Sequence, residues 1–583
     1  MSDVTLTIDG RSVTVPAGTT IMQAADKIGI HIPRLCYHPQ LSIEGACRVC
    51  VVEVEGQRNL VASCAFPVAD GMVVRTATPE IRQIRRDIVE LILDNHPMDC
   101  QTCERDGNCE LQRLAYAVGV RERLYEGERK SYKPDTSSPS LIRDPEKCIL
   151  CHRCVRLCRE IQHVGVLGYY GRGFNTVIMP AYDAPFQETL CTTCGQCINV
   201  CPTAAFLEKP HTDRVLDALA DPEKFVVVQV APSVRAAIGE GFGMPLGVAQ
   251  TGRMVAALRL LGFDKVFDTQ FGADLTVMEE ASELVQRIKS GGPLPLITSC
   301  SPAWVKFCEH FFPDFLDNLS TCKSPMSMHS AIVKTYYAQK MGLDPKKIYS
   351  VAVMCCTAKK FEAERPELGT PEYPHTDAVI TTRELIWMIK SAGINFKELN
   401  EEDFDRPLGE SSGAGTIFGA TGGVMEAALR TGIWMLTGSN PSDVEITPVR
   451  GLDGIKTMET EIKGLKLRCA VAHGLGNAYR LMQAVRSGEM KLDFIEIMGC
   501  PGGCVGGGGQ PYAGYDAVPL DPEILRLRAE ALYNEDRGKP RRFAHENPDV
   551  QQLYKEFLGH PLSEKSHELL HTFYYRRVPP GIG

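Results

Sequence analysis

The sequence predicts a multidomain protein that combines α+β and α/β domains, and three observations carry this prediction. The chain has 583 residues, which suggests about three to five domains. Its 23 cysteines are unevenly placed, with fifteen before residue 202 and eight after it. From about residue 222 onward, apolar strand-length segments alternate with helix-length segments, as in parallel sheets covered by helices. We therefore expect small cysteine-rich domains followed by one large α/β domain.

Composition excludes several classes of function. The net charge of -9 and pI of about 5.9 argue against a nucleic-acid surface, which needs a concentrated basic face. Mean hydropathy is -0.12, and no apolar run approaches the ~18 residues of a membrane helix. The start, MSDVTLTIDGRSVTV, lacks the basic and apolar regions of a secretory signal. We expect a cytoplasmic protein whose cysteines are metal ligands, since disulfides need an oxidising compartment.

Residues 1–79 predict a β-grasp domain. TLTIDG and SVTV alternate like paired strands around Asp9-Gly10, and TTIMQAADKIGI reads as a helix capped by Thr19 or Thr20. Four cysteines in this domain have the spacing C-x10-C-x2-C-x13-C, which resembles plant-type [2Fe–2S] ligation with a longer first gap. A tetrahedral zinc site is the alternative. The predicted ligands are Cys36, Cys47, Cys50 and Cys64.

Residues 80–125 predict a small helical domain, since IRQIRRDIVELILDNH places apolar residues at helical spacing. The segment HPMDCQTCERDGNC contains only Cys100, Cys103 and Cys109, one ligand short of a four-iron cluster. His96 lies one helical turn before Cys100, and imidazole readily binds iron. We expect His96 to complete a [4Fe–4S] site; the alternative is that it only hydrogen bonds within its own helix.

Residues 126–142 are polar and suggest a linker, and residues 143–210 predict a bacterial ferredoxin-like domain. The spacing C-x2-C-x2-C-x3-C occurs twice there, and in that pattern the fourth cysteine of each run binds the other cluster. The two predicted [4Fe–4S] ligand sets are therefore Cys148, Cys151, Cys154 and Cys201, and Cys191, Cys194, Cys197 and Cys158. Zinc would fit the spacing alone.

The fifteen early cysteines plus His96 give sixteen ligands, enough for four clusters of four ligands each. A series of such centres along one chain moves single electrons between the surface and something deeper.

Residues 222–520 predict the large α/β domain, and cysteines stand where its strands end. LITSCSPAW, VAVMCCTAKKFEAE and FIEIMGCPGGCVGGGGQP each run from a strand into a cysteine motif. Ligands bind at the carboxyl ends of strands in open α/β sheets, so the three motifs could converge on one crevice. The glycine run 506–509 would let backbone approach a bulky inorganic ligand closely.

These three motifs closely resemble the signatures of [FeFe]-hydrogenases, and the tail from RAEALYNED to HELLHTFYY resembles their small-subunit region. The likeness covers nearly the whole chain and is strongest to catalytic subunits of soluble NAD(P)-linked hydrogenase complexes. It implies an H-cluster, which is a [4Fe–4S] cubane joined through one cysteine to a diiron unit with CO, CN⁻ and a dithiolate bridge. The implied domains are an H-cluster domain over 222–520 and a small-subunit-like region over 521–583.

The resemblance implies that Cys356, Cys500 and Cys504 bind the cubane, with Cys504 bridging to the diiron unit. The family's first signature has two adjacent cysteines, a proton relay and then the fourth ligand. Here the pair is Cys300 and Ser301, and serine is a poor ligand for a soft metal. Either Ser301 binds as alkoxide, or Cys300 or Cys355 takes the place; Cys300 is our first candidate for a site role.

The resemblance also implies a proton path, because splitting H2 in a buried site releases a proton that must leave. Glu280 and Glu283 are three apart in LTVMEEASELVQRI and share one helix face; a solvated acidic face is the alternative. The implied path is Cys300, Glu280, Ser320 and Glu283. Lys359 is expected to hydrogen bond a cyanide. The expected pocket residues, otherwise ordinary core, are Pro232, Ser233, Met354, Phe418 and Met498.

The predicted activity is H2 ⇌ 2 H⁺ + 2 e⁻, with electrons passed to partner subunits for NAD(P) reduction. The chain has no convincing flavin or NAD(P) fingerprint, so we expect a flavin- and nucleotide-binding subunit and a small [2Fe–2S] subunit near residues 1–110. The alternatives are a stand-alone ferredoxin-dependent hydrogenase, a non-catalytic relay subunit or a hydrogen sensor. A molybdopterin formate dehydrogenase is disfavoured, because the remaining ~370 residues are short for one.

Overall fold

The protein is represented by a computed structural model that describes residues 2–125, 127–512, 514 and 517–578. Residues 579–583 of the predicted C-terminal region lie outside the described residues. No helix within these ranges is long and apolar enough to cross a membrane.

The N-terminal domain is a five-stranded sheet with one helix against it, as the sequence predicts. The turn between the first two strands has positive φ at both Asp9 and Gly10, which suits a tight hairpin. Thr20 caps the helix in a capping box with Gln23. The strand order is β2-β1-β5-β3-β4. The elements are β1 (Asp3–Ile8), β2 (Arg11–Pro16), α1 (Ile21–Lys27), β3 (Val51–Val54), β4 (Val61–Ala62) and β5 (Val73–Arg75).

Two small cluster-binding regions follow. Two helices form the first, and their apolar faces bury Val89, Leu93, Leu111 and Leu114 in one core. The second contains two antiparallel strand pairs, β6 with β9 and β7 with β8, together with two short helices. The elements are α2 (Pro79–Asp94), α3 (Glu110–Val118), β6 (Leu141–Arg143), α4 (Arg153–Arg156), β7 (Leu167–Tyr170), β8 (Val177–Pro180), α5 (Gln196–Val200) and β9 (Phe206–Glu208).

The large domain contains two four-stranded sheets. The first has the order β11-β10-β13-β14 and is entirely parallel, and its Val-rich strands are buried. The second has the order β12-β17-β16-β15. The strands are β10 (Phe225–Val230), β11 (Lys265–Asp268), β12 (Leu296–Ile297), β13 (Ile348–Met354), β14 (Ala378–Thr381), β15 (Ile455–Ile462), β16 (Leu465–His473) and β17 (Phe494–Met498).

Helices surround these sheets. The 22-residue α9 is the longest of them, and its N-cap Asp268 accepts a hydrogen bond from the backbone N–H of Gln270. The helices up to residue 486 are α6 (Thr212–Ala220), α7 (Pro232–Arg235), α8 (Thr251–Leu260), α9 (Thr269–Ser290), α10 (Pro302–Phe311), α11 (Pro325–Ile332), α12 (Ala338–Met341), α13 (Ala358–Ala363), α14 (Thr382–Ser391), α15 (Gly413–Ile417), α16 (Gly423–Thr437) and α17 (Leu475–Arg486).

The C-terminal region is helical, as expected, and packs on the large domain. It places Leu532 in a core with Ala236 and Val505, and Val550 and Leu570 in a core with Phe271. Its helices are α18 (Pro522–Gly538), α19 (Pro548–Leu553) and α20 (Glu564–Leu570).

Two local expectations were wrong. The second sheet is mixed rather than parallel. Its edge strand β15 pairs antiparallel with β16, and the sequence did not predict this strand. The proposed linker 126–142 also ends inside the ferredoxin-like region: Ser138 and Ser140 are buried, and the Ser140 carbonyl accepts the Lys209 N–H. Polar serines hydrogen-bonded to backbone resemble loop residues in sequence, which explains the error.

Candidate metal centres and active site

The four cysteines predicted for the [2Fe–2S] site lie together. Cys36 and Cys47 form one hydrogen-bonded thiol pair, and Cys50 and Cys64 form another. The charges of the other three thiols also raise the pKa of Cys64. Within each pair the hydrogen bond lowers the pKa of one thiol, Cys47 or Cys50, and raises the pKa of its partner. Four converging sulfurs of this kind fit an iron–sulfur cluster.

The His96 group lies just after the C-terminal end of α2, which ends at Asp94. His96 is buried, and its Nδ1 has no hydrogen-bond partner within the described ranges. Burial lowers the pKa of His96 to about 4, so the imidazole is neutral at neutral pH, the form that binds metals. Burial is the main cause that raises the pKa of Cys100 and of Cys109, and the charge of the nearby Cys103 thiol raises both further. A neutral imidazole with an orphaned nitrogen suits a metal ligand.

The two ferredoxin-type groups assemble with the predicted exchange of their fourth cysteines. The pKa of Cys154 is raised well above its ordinary value by burial and then by Cys151, Cys148 and Cys201. The pKa of Cys197 is raised likewise by burial and then by Cys194, Cys191 and Cys158. Cys201 also influences Cys197, so the two groups are neighbours.

Exposed residues flank Cys47 and Cys103, so the [2Fe–2S] group and the His96 group are the two surface groups. Both contact the first ferredoxin-type group. Arg156 donates to the carbonyl oxygens of Cys36 (2.6 Å) and Cys151 (3.3 Å), which joins the [2Fe–2S] region to that group. Cys109 Sγ lies 3.6 Å from the carbonyl oxygen of Pro202, directly after Cys201. The thiol groups therefore form a branched series with two surface ends.

The second ferredoxin-type group contacts the large domain. Gln196 donates to the Gly506 carbonyl oxygen (2.9 Å) and also interacts with Cys500. Thr357 donates to the Thr193 carbonyl oxygen at 2.8 Å. The predicted glycine run is close-packed here, because a Cβ at Gly508 would overlap the Cys194 carbonyl and lie 2.8 Å from Gly195 Cα. The relay thus ends against the cysteine motifs of the large domain.

These motifs surround a cavity of about 80 Å³ at the carboxyl ends of β10, β13 and β17. Five thiols line it, and all the expected pocket residues line it as well. The thiols are Cys300, Cys355, Cys356, Cys500 and Cys504. The expected pocket residues are Pro232, Ser233, Met354, Phe418 and Met498. The wall is mostly apolar, which suits a buried inorganic group that water must not reach.

The thiols divide between two sides of the cavity. The Cys355 thiol lies against the Cys504 thiol, and this contact and burial together raise the pKa of Cys355 well above its ordinary value. Cys355 in turn raises the pKa of Cys356 and of Cys500. Cys300 instead faces Glu280 and Lys359. Ser301 Oγ accepts the Gly499 N–H at 3.1 Å.

The predicted proton-path residues form a continuous series. Burial raises the pKa of the Cys300 thiol, and the charge of Glu280 raises it further. Burial, then the charge of Glu283, raises the pKa of Glu280 to about 8, while the neighbouring Ser320 lowers it. Ser320 Oγ donates to Glu283 Oε2 at 2.8 Å, and Glu283 accepts from Arg287 at 2.7 Å. The acidic pair is therefore buried rather than a solvated face.

Lys359 is held at the edge of the cavity by three acceptors. Its Nζ donates to the Cys300 carbonyl oxygen (3.3 Å), Ser324 Oγ (2.6 Å) and Glu362 Oε2 (2.8 Å). These three acceptors use all the N–H groups of the ammonium, so it would donate to an anionic group in the cavity by exchanging one of them.

The donor set fits the H-cluster implied by the motifs. The buried thiols of Cys356 and Cys500, the partly buried thiol of Cys504, a fourth nearby thiol and a close-packed glycine backbone are suited to a bulky, soft, anionic metal group.

Comparisons with known proteins decide the family. NADP-reducing hydrogenase subunit HndD of Solidesulfovibrio fructosivorans is 50% identical, over 99% of this chain and 100% of the relative. Iron hydrogenase 1 of Clostridium pasteurianum is 43% identical, over 98% and 99% of the two chains. The chain belongs to the [FeFe]-hydrogenase family.

Family models and a solved structure agree with this assignment. Five models match: the 2Fe-2S iron-sulfur cluster binding domain (residues 2–79), the NADH-ubiquinone oxidoreductase-G iron-sulfur binding region (85–123), the ferredoxin-like domain of NADH-quinone oxidoreductase subunit 3 (138–207), the C-terminal domain of the iron only hydrogenase large subunit (224–508) and the iron hydrogenase small subunit (522–577). A variant of apo [FeFe]-hydrogenase from Chlamydomonas reinhardtii is 43% identical with a TM-score of 0.57, over 63% of this chain and 99% of that one. The protein is therefore a hydrogenase with iron–sulfur relay domains.

Sequence reasoning about this hydrogenase missed some residues that contact the site. Thr321 Oγ1 lies 3.3 Å from Glu283 Oε1 and 2.7 Å from His571 Nδ1, so the C-terminal region reaches the acidic pair. Gln196 and Arg156 join the thiol groups to their surroundings. No spacing pattern marks such contacts, because the partners lie far apart in the chain. The segment HELLH, which ends at His571, can be read from the sequence of the tail, but no sequence pattern places it beside α9.

Proposed function

We propose that this hydrogenase catalyses H2 ⇌ 2 H⁺ + 2 e⁻ at an H-cluster held by Cys356, Cys500 and Cys504. One observation carries the proposal: a buried thiol-lined cavity is approached on one side by cluster ligands and on the other by a series of proton-exchanging groups. Electrons and protons need separate exits from such a site, and this arrangement offers both.

The proposed cofactors are one [2Fe–2S] cluster, three [4Fe–4S] clusters and one H-cluster. The convergence of each predicted ligand set supports the relay assignment, and the orphaned Nδ1 of His96 supports its role in the second cluster. The contacts described above favour the order from the two surface clusters, through the set containing Cys154, to the set containing Cys197, and then to the cavity.

When bound, the H-cluster supplies the metal site at which H2 is split heterolytically. The chain's residues handle the proton. Cys300 exchanges it at Sγ, Glu280 takes it next, and Ser320 passes it to Glu283, whose carboxylate is held by Arg287. A carboxyl with a pKa of about 8 suits this role, because it gains and loses protons readily near neutral pH. Lys359 positions an anionic ligand, and the apolar wall excludes water.

We further propose that the electrons reach NAD or NADP through partner subunits. The name of the HndD relative, an NADP-reducing hydrogenase subunit, supports this link. Iron–sulfur centres carry single electrons, so hydride formation needs a flavin that converts them into a two-electron transfer. A flavin- and nucleotide-binding subunit and a small [2Fe–2S] subunit would dock near residues 1–110, where both surface clusters lie. Direct service of ferredoxin is the second candidate, because the same surface clusters could serve it.

The test is hydrogen uptake by the matured protein with a viologen dye as electron acceptor. We expect rapid dye reduction by the wild-type chain, and a loss of orders of magnitude in Cys300→Ala and Glu283→Gln if each group must pass the proton. The relay clusters should keep their EPR signals in both variants. Negligible turnover by the fully loaded wild type would instead favour a hydrogen sensor, and normal turnover in both variants would refute the proton path.

A further inference from the structure

We infer that Cys355 is the fourth protein ligand of the active-site cubane in this chain. The inference rests on the proposed H-cluster and concerns two departures from the family motif. Position 301 is serine where the family has a ligand cysteine, and Cys355 stands directly before the motif ligand Cys356. The structure places both departures on the wall of the same cavity.

Ser301 is unsuited to the missing role. Its Oγ already accepts the backbone N–H of Gly499 at 3.1 Å, which fixes the turn before Cys500. A hydroxyl is also a hard donor, whereas iron–sulfur clusters select thiolates. Ser301 therefore serves the backbone of a ligand loop rather than the metal.

Cys355 has the neighbours that a ligand needs. Its thiol lies against that of Cys504, and it interacts with Cys356 and Cys500, so it adjoins all three motif ligands. It is 2% exposed and packs with Cys356 and Cys504 in one buried cluster.

The glycine run fixes the backbone of Cys355. Gly509 N–H donates to the Cys355 carbonyl oxygen at 2.7 Å. A Cβ at Gly507 would overlap that same oxygen. Position 355 is therefore held rigidly against the loop that carries Cys504.

The other late cysteines are less suitable. Cys300 faces the proton path, because Glu280 and Lys359 act on its thiol. Cys308, Cys322 and Cys469 are buried in separate hydrophobic cores. Ligation by Cys355 replaces its S–H bond with an S–Fe bond and releases one proton, with no change in oxidation state.

The experiment uses the full chain produced without diiron maturation, so that the cubane is the only cluster in the cavity. Iron and sulfide are counted per chain, and Mössbauer spectra separate the clusters. We expect Cys355→Ala to lose about four irons, the content of one cubane. The double variant Ser301→Cys/Cys355→Ala should recover them, because it restores the family's ligand. Cys300→Ala and Cys469→Ala, the latter a buried thiol outside the cavity, should keep the full count.

Intact EPR signals of the relay clusters and an unchanged circular dichroism spectrum will show that each variant is folded. If Cys355→Ala misfolds, Cys355→Ser, which is close in size, replaces it in the same comparison. Full iron in the folded Cys355 variant would overturn the inference, and so would iron loss in Cys300→Ala or Ser301→Ala alone. Hydrogen uptake by the matured wild type is measured separately, so a failure of the proposed function is distinguishable from an error in this ligand.

Discussion

Glu280 shows how a single buried residue can link the fold to proton transfer. Burial removes water from its carboxyl, and Glu283 lies three residues away on the same face of α9. Both effects disfavour the ionised form, and together they raise the pKa to about 8. The folded protein therefore holds a proton that the unfolded chain releases above its ordinary pKa of about 4.5.

The stability contribution of this proton has a definite sign. It is fully present below the ordinary pKa and is lost as the pH rises through about 8. We expect the wild type to lose on the order of 2 kcal/mol relative to Glu280→Gln between pH 6 and pH 9. The difference in Tm, measured by calorimetry at both pH values, checks this. The control is Glu489→Gln, a change at an exposed position. If the difference in Tm between the wild type and Glu280→Gln is the same at both pH values, the pKa assignment is contradicted.

His96 offers a second test at the level of one residue. His96→Cys should keep a four-iron cluster with a lower potential, because thiolate adds negative charge where neutral imidazole adds none. His96→Ala should lose or open that cluster alone. EPR-monitored redox titration measures both outcomes, with the exposed His560→Ala as control. Unchanged signals in both His96 variants would mean that the imidazole serves only its own helix.

Among the elements, the loop over Gly506–Gly509 determines how closely the relay approaches the active site. Only hydrogen fits at position 508, since a methyl group there would press on Cys194 and Gly195. Gly508→Ala should lower the free energy of unfolding by about 1–3 kcal/mol and push the second ferredoxin-type group away from the cavity.

The consequence of Gly508→Ala can be measured by comparing two activities. Isotope exchange between D2 and water needs only the active site, whereas dye reduction at the surface clusters needs the relay. We expect dye reduction to fall more than exchange. Gly432→Ala, with open space around the new methyl group, should leave their ratio unchanged. An unaltered ratio in Gly508→Ala would show that this contact does not limit electron transfer.

The sequence was informative for elements with a strong local pattern. The Val-rich β10 and β13 read as buried strands because both faces are apolar. The sequence placed the start of α1 at Thr19 or Thr20, and the structure has the cap at Thr20. The strand β15 alternates charged and half-buried residues, so its pairing with β16 could not be predicted from its own composition. Motif spacing named the predicted relay ligands, and the family resemblance named the H-cluster ligands and Ser320. The contact of Thr321 with His571 depends on tertiary packing across 250 residues. The roles assigned to the individual site residues stay predictions.

At the scale of the whole molecule, the domain order gives the electron route a direction. Two surface groups converge on one ferredoxin-type group, and a second carries the path to the cavity. Purified alone, the matured chain should therefore reduce viologen with H2 but reduce neither NAD nor NADP. Addition of the native flavin-containing subunit should restore nucleotide reduction, measured by absorbance of the reduced nucleotide. A lone active chain that serves ferredoxin fully, with no flavoprotein copurifying from the native cell, would refute the complex.

The central claim is that the thiol-lined cavity holds an H-cluster at the end of a four-cluster relay. Infrared spectroscopy of the matured chain, combined with iron analysis of the same sample, tests it most directly. We expect bands from metal-bound CO and CN⁻ together with about 20 irons per chain, the sum over the proposed clusters. Stoichiometric zinc with no such bands would contradict the claim.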